Sequence, residues 1–102
     1  MSATGATGGE RPLPVELYGV ARSRTGRDTV VLLVPADATL GDALGKLADA
    51  LPELVGPVLG RDRRSLVAGS VVSLDGQRFT RDPDELLTPG KPLLVVPASA
   101  GG

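Results

Sequence analysis

One strongly amphipathic segment limits the fold more than any other feature of the sequence. Its apolar residues recur at spacings of 3, 4, 7, 8 and 11, the pattern of one buried stripe on an α-helix, and they are Leu40, Ala43, Leu44, Leu47, Ala48 and Leu51. Thr39 suits the N-cap, and Asp42 completes a variant of the capping box. Pro52 ends the helix because proline has no backbone N–H to donate. A lone helix of this kind needs an apolar surface to cover.

Short apolar runs separated by turn residues can form that surface. Alternation at 14–21 and the β-branched run at 29–34 predict an antiparallel hairpin. Further strands are predicted at 65–74, with Gly69 as a candidate bulge, at 77–80 and at 93–96. Residues 82–87 predict a single helical turn. The expected fold class is α+β, with one main helix packed on one face of a mixed sheet of four to five strands.

The length of 102 residues fits one domain. We expect residues 1–12, rich in Gly, Thr and Ala, to be a disordered lead-in, 13–97 to form the domain, and 98–102 to be a flexible tail. Both ends should be flexible on the ps–ns timescale. Residues 1–12 contain no apolar stretch typical of a signal peptide, and no run approaches the ~20 apolar residues of a membrane span. The sequence therefore predicts a cytoplasmic protein with no membrane partner.

The residue types that are missing argue against an enzyme. The chain has no His and no Cys, so it offers no imidazole base, no thiol nucleophile and no Cys/His metal site. Its twelve acidic residues are scattered, which is typical of a solvated surface. A net charge of −1 and only two aromatic residues argue against nucleic acid as a partner. The arginine cluster at 61–64 predicts a solvated loop, with contact to an acidic partner as the alternative. We expect no catalytic residue, no bound metal and no bound cofactor.

Several short motifs resemble those of a known family. They are Leu17 to Arg22 followed by Gly26, Thr39 to Leu44 at the helix start, Leu87 to Gly90 before the last strand, and the ending Ala100-Gly101-Gly102. In these motifs the chain resembles the MoaD/ThiS family of sulfur-carrier proteins, over about residues 13–102. The resemblance implies the ubiquitin-like β-grasp fold, which agrees with the order of elements predicted above.

The resemblance also implies a function. An E1-like enzyme that uses ATP and magnesium would adenylate the carboxylate of Gly102, and sulfur would then displace AMP to leave a thiocarboxylate. Gly101 and Ala100 would let the narrow tail enter the enzyme. The main expectation is sulfur donation in molybdopterin biosynthesis, with a molybdopterin synthase large subunit as the acceptor. Supply of sulfur for thiamin, cysteine or a thio-natural product is an alternative. A non-catalytic β-grasp interaction module is the alternative from another class.

The sheet face opposite the helix is the predicted partner surface. Glu16 is charged and should not lie under the helix, so strand alternation places Tyr18 and Val20 with it on the opposite face. The runs 30–34 and 93–96 are apolar at every position and leave aliphatic side chains on that face as well. The alternative is that residues 54–59 fold over this face and make it ordinary core.

Overall fold

A five-stranded mixed sheet with its main helix on one face forms the body of the protein. The computed structural model describes residues 9–98, so the predictions for residues 1–8 and 99–102 lie outside the described residues. The elements in chain order are β1 Glu10–Leu17, α1 Val20–Thr25, β2 Thr29–Pro35, α2 Leu40–Ala50, a 3-10 turn Pro52–Leu54, β3 Ser70–Ser73, β4 Phe79–Thr80 and β5 Leu93–Pro97. The strand order is β2-β1-β5-β3-β4, and only the β1–β5 pair is parallel. The predicted α+β class is confirmed.

Helix α2 forms as its sequence predicts. The Thr39 hydroxyl accepts a bond from the Asp42 N–H (3.2 Å), and the Asp42 carboxylate accepts one from the Thr39 N–H (3.0 Å). This capping box satisfies donors that a helix start leaves free. The predicted stripe is buried against Leu13, Val15 and the inward side chains of β2, and within the helix it comprises Leu40, Ala43, Leu44, Leu47 and Ala48.

The segment 82–87, predicted as a helical turn, instead completes the start of α2. The carbonyl oxygens of Pro83 and Glu85 accept bonds from the N–H groups of Gly41 and Leu40, each at 2.8 Å. Leu86 forms an isolated bridge with the N-cap residue of α2. One bond closes within the segment, from the Glu85 N–H to the Asp82 carbonyl (3.2 Å), and it forms a turn that is not helical. The helical-turn prediction is wrong because the carbonyls of Pro83 and Glu85 bond to a distant part of the chain.

Strand β1 carries two prolines where it lacks a partner on one side. It pairs with β2 along nearly its whole length but with β5 only from Val15 onward. The Leu17 N–H donates to the Asp28 carbonyl, just before β2 (2.8 Å). The Tyr18 N–H points the other way and donates to the Val95 carbonyl of β5 (3.0 Å). Because N–H directions alternate along a strand, the N–H groups missing at Pro12 and Pro14 would have pointed to the same side as that of Tyr18. Strand β5 does not extend along that side before Val15. The two prolines therefore cost no ladder bond and make this open edge a poor template for another strand.

The limits of β1 differ from the prediction at both ends. The strand starts at Glu10, so the predicted lead-in 1–12 overlaps it by three residues. It ends at Leu17 instead of continuing to Ala21, because Gly19 turns the chain with φ 60° and ψ −130°. The short helix α1 follows and ends at Gly26, whose φ is 70°. The sequence analysis missed α1.

The strands after α2 are shorter than predicted. Strand β3 occupies only Ser70–Ser73 of the predicted 65–74, and Gly69 precedes it instead of forming a bulge within it. Strand β4 is reduced to Phe79–Thr80. The turn at Asp75 separates β3 from β4, because its carboxylate accepts bonds from the N–H groups of Gln77 and Arg78, both at 2.9 Å. Before β3, Ser65 and Val67 bond instead to Gly60 and Val58 of the preceding loop. Within residues 9–98, no helix has the length and hydrophobicity that a membrane span requires.

The two interior glycines of α2 generate the first prediction. A Cβ at Gly45 would make only an ordinary contact of 3.6 Å with the Arg63 carbonyl oxygen, so Gly45→Ala should stabilise the protein by about 0.5–1 kcal/mol through helix propensity. A Cβ at Gly41 would lie 2.6 Å from a guanidinium nitrogen of Arg64, and moving that side chain would weaken its pairing with Asp42. Gly41→Ala should therefore stabilise the protein less than Gly45→Ala does. Urea unfolding of both variants checks this, and equal gains would contradict the role given to Arg64.

Candidate interaction face and tail root

The sheet face that α2 leaves uncovered carries exposed apolar side chains. In β2, Leu32 and Val34 are buried under the helix, whereas Val31 and Leu33 point the other way and are 61% and 57% exposed. Phe79 of β4 is 56% exposed. Single exposed apolar residues are common, but several on one sheet face form a patch typical of interaction sites. We call this surface the open face, defined by Val31, Leu33, Phe79 and their neighbours in register.

Strand register shows how far the open face extends. The pairings place Phe79, Ser73, Leu94 and Glu16 in one row across four strands. Pro14 stands opposite Val31, and Pro12 opposite Leu33. Exposed apolar side chains thus lie at both sides of the face, whereas Ser73 between them is buried and Glu16 places one carboxylate near the centre.

The segment 54–59 does not cover this face. Leu54, Val58 and Leu59 are fully buried in the same cluster as the inward side of α2. The alternative that this loop turns the open face into core is therefore wrong. Within residues 9–98, Val31, Leu33 and Phe79 keep more than half of their surface in contact with solvent.

Tyr18 and Val20 lie together at the end of β5, although not for the reason predicted. Tyr18 follows β1 and is 42% exposed, whereas Val20 begins α1 and is 46% exposed. Because Val20 is a helix residue, strand alternation cannot put it on the same sheet face as Glu16, and this part of the prediction is wrong. Both residues line a narrow cleft that also includes Val96 and Pro97. The last strand thus ends beside these two predicted contact residues.

The Tyr18 side chain is held by Glu16. Its hydroxyl donates a hydrogen bond to the Glu16 carboxylate at 2.6 Å. This bond, followed by partial desolvation and the negative charge of Glu16, raises the pKa of the Tyr18 phenol above its ordinary value. The aromatic ring therefore has a preferred position before any partner arrives.

The root of the C-terminal tail is fixed to the sheet. The Ala98 N–H donates to the Gly69 carbonyl at 2.8 Å, so the chain stays attached one residue beyond β5. Ala98 was predicted to be the first tail residue. The predicted reactive residue Gly102 and its supporting residues Gly101 and Ala100 lie outside the described residues.

A second, polar cleft of about 430 Å³ lies between α2 and the loop at 62–64. Its opposite charges pair across it, with Arg63 3.3 Å from Asp49 and Arg64 3.7 Å from Asp42. The cleft therefore offers balanced charge and no feature that selects a ligand. The described residues also contain no group of three or more His, Cys, Asp or Glu side chains placed to hold a metal ion.

The hydrogen bond of Tyr18 gives a prediction that spectroscopy can test. Tyr18 is the only tyrosine and the chain has no tryptophan, so tyrosinate absorbance reports on this residue alone. We expect the phenol to titrate above its ordinary pKa near 10 and Glu16→Gln to move the pKa down toward that value. Glu10→Gln is the matched control and should leave the titration unchanged. A normal pKa in the unmodified protein would show that the bond is not formed in solution.

Solved structures from Haloferax volcanii share this fold. The crystal structure of SAMP1 is 29% identical in sequence, with a TM-score of 0.73 over 90% of this chain and 100% of that chain. Another crystal structure, of small archaeal modifier protein 1, is 30% identical, with a TM-score of 0.71 over 84% of this chain and 95% of that one. The solution structure of the HVO 2177 protein is 24% identical, with a TM-score of 0.68 over 91% and 88%, and it supports the fold alone.

These neighbours bear on two predictions. A scan of protein-family models and a search of curated proteins found no match. The predicted β-grasp fold is confirmed by the structural neighbours. The prediction that the protein is not itself an enzyme is also confirmed, because these neighbours are small modifier proteins. Since a 30% identical structure matches over 95% of its length, this protein belongs to the ubiquitin-like β-grasp family that includes small archaeal modifier protein 1.

Proposed function

We propose that this protein carries sulfur on the carboxylate of Gly102. A carboxylate is a poor electrophile because its charge is shared between two oxygens. An E1-like enzyme, using ATP and magnesium, would join this carboxylate to the α-phosphate and release pyrophosphate. Sulfide would then attack the acyl carbon, AMP would leave, and a thiocarboxylate would remain to donate its sulfur.

The observation that carries the proposal is the position of the tail root beside exposed apolar side chains. Ala98 is bonded to Gly69, and Tyr18 and Val20 lie at the same end of β5. The four residues from Ser99 to Gly102 span at most about 14 Å when extended. An enzyme that contacts this end of the sheet can therefore hold the domain while its active site receives the Gly101-Gly102 ending. Glycines suit that task because they allow close backbone approach.

For the acceptor we propose a molybdopterin synthase large subunit, with this protein as the small subunit. The motifs resemble the MoaD/ThiS family as a whole, and the length of the folded part supports this choice within it. The folded part occupies most of residues 9–98 and so exceeds the shorter thiamin-thiazole carriers. Thiamin, cysteine and thio-natural products remain the alternative destinations of the sulfur.

A second candidate function is protein modification, and the names of the structural neighbours favour it. An amine of a target protein would then attack the acyl carbon of the same adenylate, AMP would leave, and an amide bond would form. Intact-mass measurement after co-expression with an E1-like enzyme separates the outcomes. Exchange of one oxygen for sulfur supports the carrier, a covalent adduct with another protein supports the modifier, and neither product with several such enzymes favours a simple interaction module.

The reactive terminus gives a direct test. Deleting Gly102, or adding one residue after it, should abolish ATP–pyrophosphate exchange, because the deletion leaves the carboxylate short of the α-phosphate and the added residue carries it past that position. Thermal unfolding should change little, since exposed surface changes usually stay within about 0.5 kcal/mol. Ser99→Ala is the matched control and should keep exchange activity. Exchange that survives the added residue would overturn the assignment of Gly102.

The open face and Tyr18 give a second test. Tyr18→Ala should weaken binding to the activating enzyme or to the acceptor subunit by ~1–3 kcal/mol, as expected for an aromatic anchor. Because Tyr18 is 42% exposed, the fold should lose little stability. Leu86→Ala is the matched control, since Leu86 is 63% exposed but lies at the start of α2, away from the open face. Calorimetric titration that finds equal losses for both variants would show that the contact is not specific to Tyr18.

A further inference from the structure

Gly19 lies against the Pro97 ring at the point where the chain leaves the sheet. A Cβ on Gly19 would overlap that ring, 3.0 Å from Cδ and closer still to Cγ. The backbone of Gly19 independently excludes other residues, because φ 60° with ψ −130° lies in a region that only glycine adopts easily. Two separate constraints therefore require glycine at this position.

The end of β5 is held on both of its edges. On one edge, the Tyr18 N–H donates to the Val95 carbonyl at 3.0 Å, and Gly19 follows with the Pro97 ring packed on it. On the other edge, Ser70 is the register partner of Pro97, and the Gly69 carbonyl accepts from Ala98. Pro97 has no N–H, so beyond Val96 the strand is fixed by ring packing and by the bond of Ala98.

We infer that Gly19 and Pro97 are positioning residues that set the path of the C-terminal tail. The functional part of this inference rests on the proposed function. Only four residues follow Ala98, and they span at most about 14 Å when extended, so the position and direction of their root limit where Gly102 can reach. A fixed root reduces the number of conformations that the activating enzyme has to select. The contact therefore acts on productive binding of the carrier and not on the adenylation chemistry.

The chain supplies variants that separate this role from stability. Pro97→Ala removes Cγ and Cδ and leaves only Cβ, the ring atom that would be 3.6 Å from a Gly19 Cβ. Gly69→Ala is the control on the other edge, since a Cβ there meets no atom within 4 Å and the carbonyl acceptor is retained. Gly26→Ala is the control for backbone strain, because Gly26 has φ 70° but open space around it.

Exchange kinetics with an E1-like enzyme that accepts the unmodified protein are the first measurement. For Pro97→Ala we expect the carrier's KM to rise roughly three- to tenfold while kcat stays within about twofold. Gly26→Ala should match the unmodified protein in KM. Gly19→Ala should raise KM and lower the unfolding midpoint more than Gly26→Ala does. In the double variant Gly19→Ala/Pro97→Ala, the unfolding midpoint should recover part of what Gly19→Ala lost, whereas the KM should stay raised. An unchanged KM for Pro97→Ala would overturn the functional role.

An NMR measurement decides the structural part without any enzyme. Pro97→Ala should lower the backbone order parameter of Ala98 and shift its amide resonance, whereas Gly69→Ala should leave the order parameter unchanged. An unchanged Ala98 order parameter in Pro97→Ala would overturn the positioning contact itself. If no E1-like enzyme supports exchange with the unmodified protein, the proposed function fails while this measurement still decides whether Gly19 and Pro97 fix the tail root.

Discussion

The parallel pairing of β1 with β5 is the constraint on which the rest of the structure depends. It joins the β1–β2 hairpin to the second half of the chain over only three register pairs, Val15 to Leu17 against Leu93 to Val95. These residues alternate, and four of the six, Val15, Leu17, Leu93 and Val95, are buried in the hydrophobic core. The short ladder is therefore stabilised more by the apolar contacts beneath it than by its hydrogen bonds. The same pairing brings Tyr18 and Gly19 to the end of β5.

One long helix on a five-stranded sheet leaves the molecule asymmetric. The inward side chains of β1, β2, β3 and β5 form one cluster with α2 and with Leu54, Val58 and Leu59. The outward side chains of β2 and β4 are also apolar, yet within residues 9–98 no element packs on them. Burying them inside the domain would need a second layer, whereas leaving them in water costs stability that a partner can recover on binding. The apolar side chains that the domain leaves unburied are thus the same ones that form its candidate interaction surface.

The sequence predicted the elements that local chemistry determines. The capping box at Thr39, the apolar stripe of α2 and the β2 strand all follow from residue spacing, and the structure has them. Helix α1 could not be found in this way, because only Ala21 of its six residues is buried and it shows no stripe. The segment 82–87 was misassigned because its conformation depends on bonds to Leu40 and Gly41, far away in sequence. The open face was predicted from Glu16 of β1 and from the apolar runs 30–34 and 93–96, but Phe79 was missed because its orientation depends on the register between β3 and β4.

The bonds from Pro83 and Glu85 to the start of α2 bear on how the domain folds. A helix start has four N–H groups without helical acceptors, and the first two here obtain acceptors from a segment about forty residues later in the chain. The first turn of α2 is therefore incomplete while the later segment is detached, however well its own sequence favours a helix. Closing a loop of that length carries an entropic cost before its contacts form. The helix with the clearest local signal thus depends on a late, long-range contact, which couples both halves of the chain into one cooperative unit.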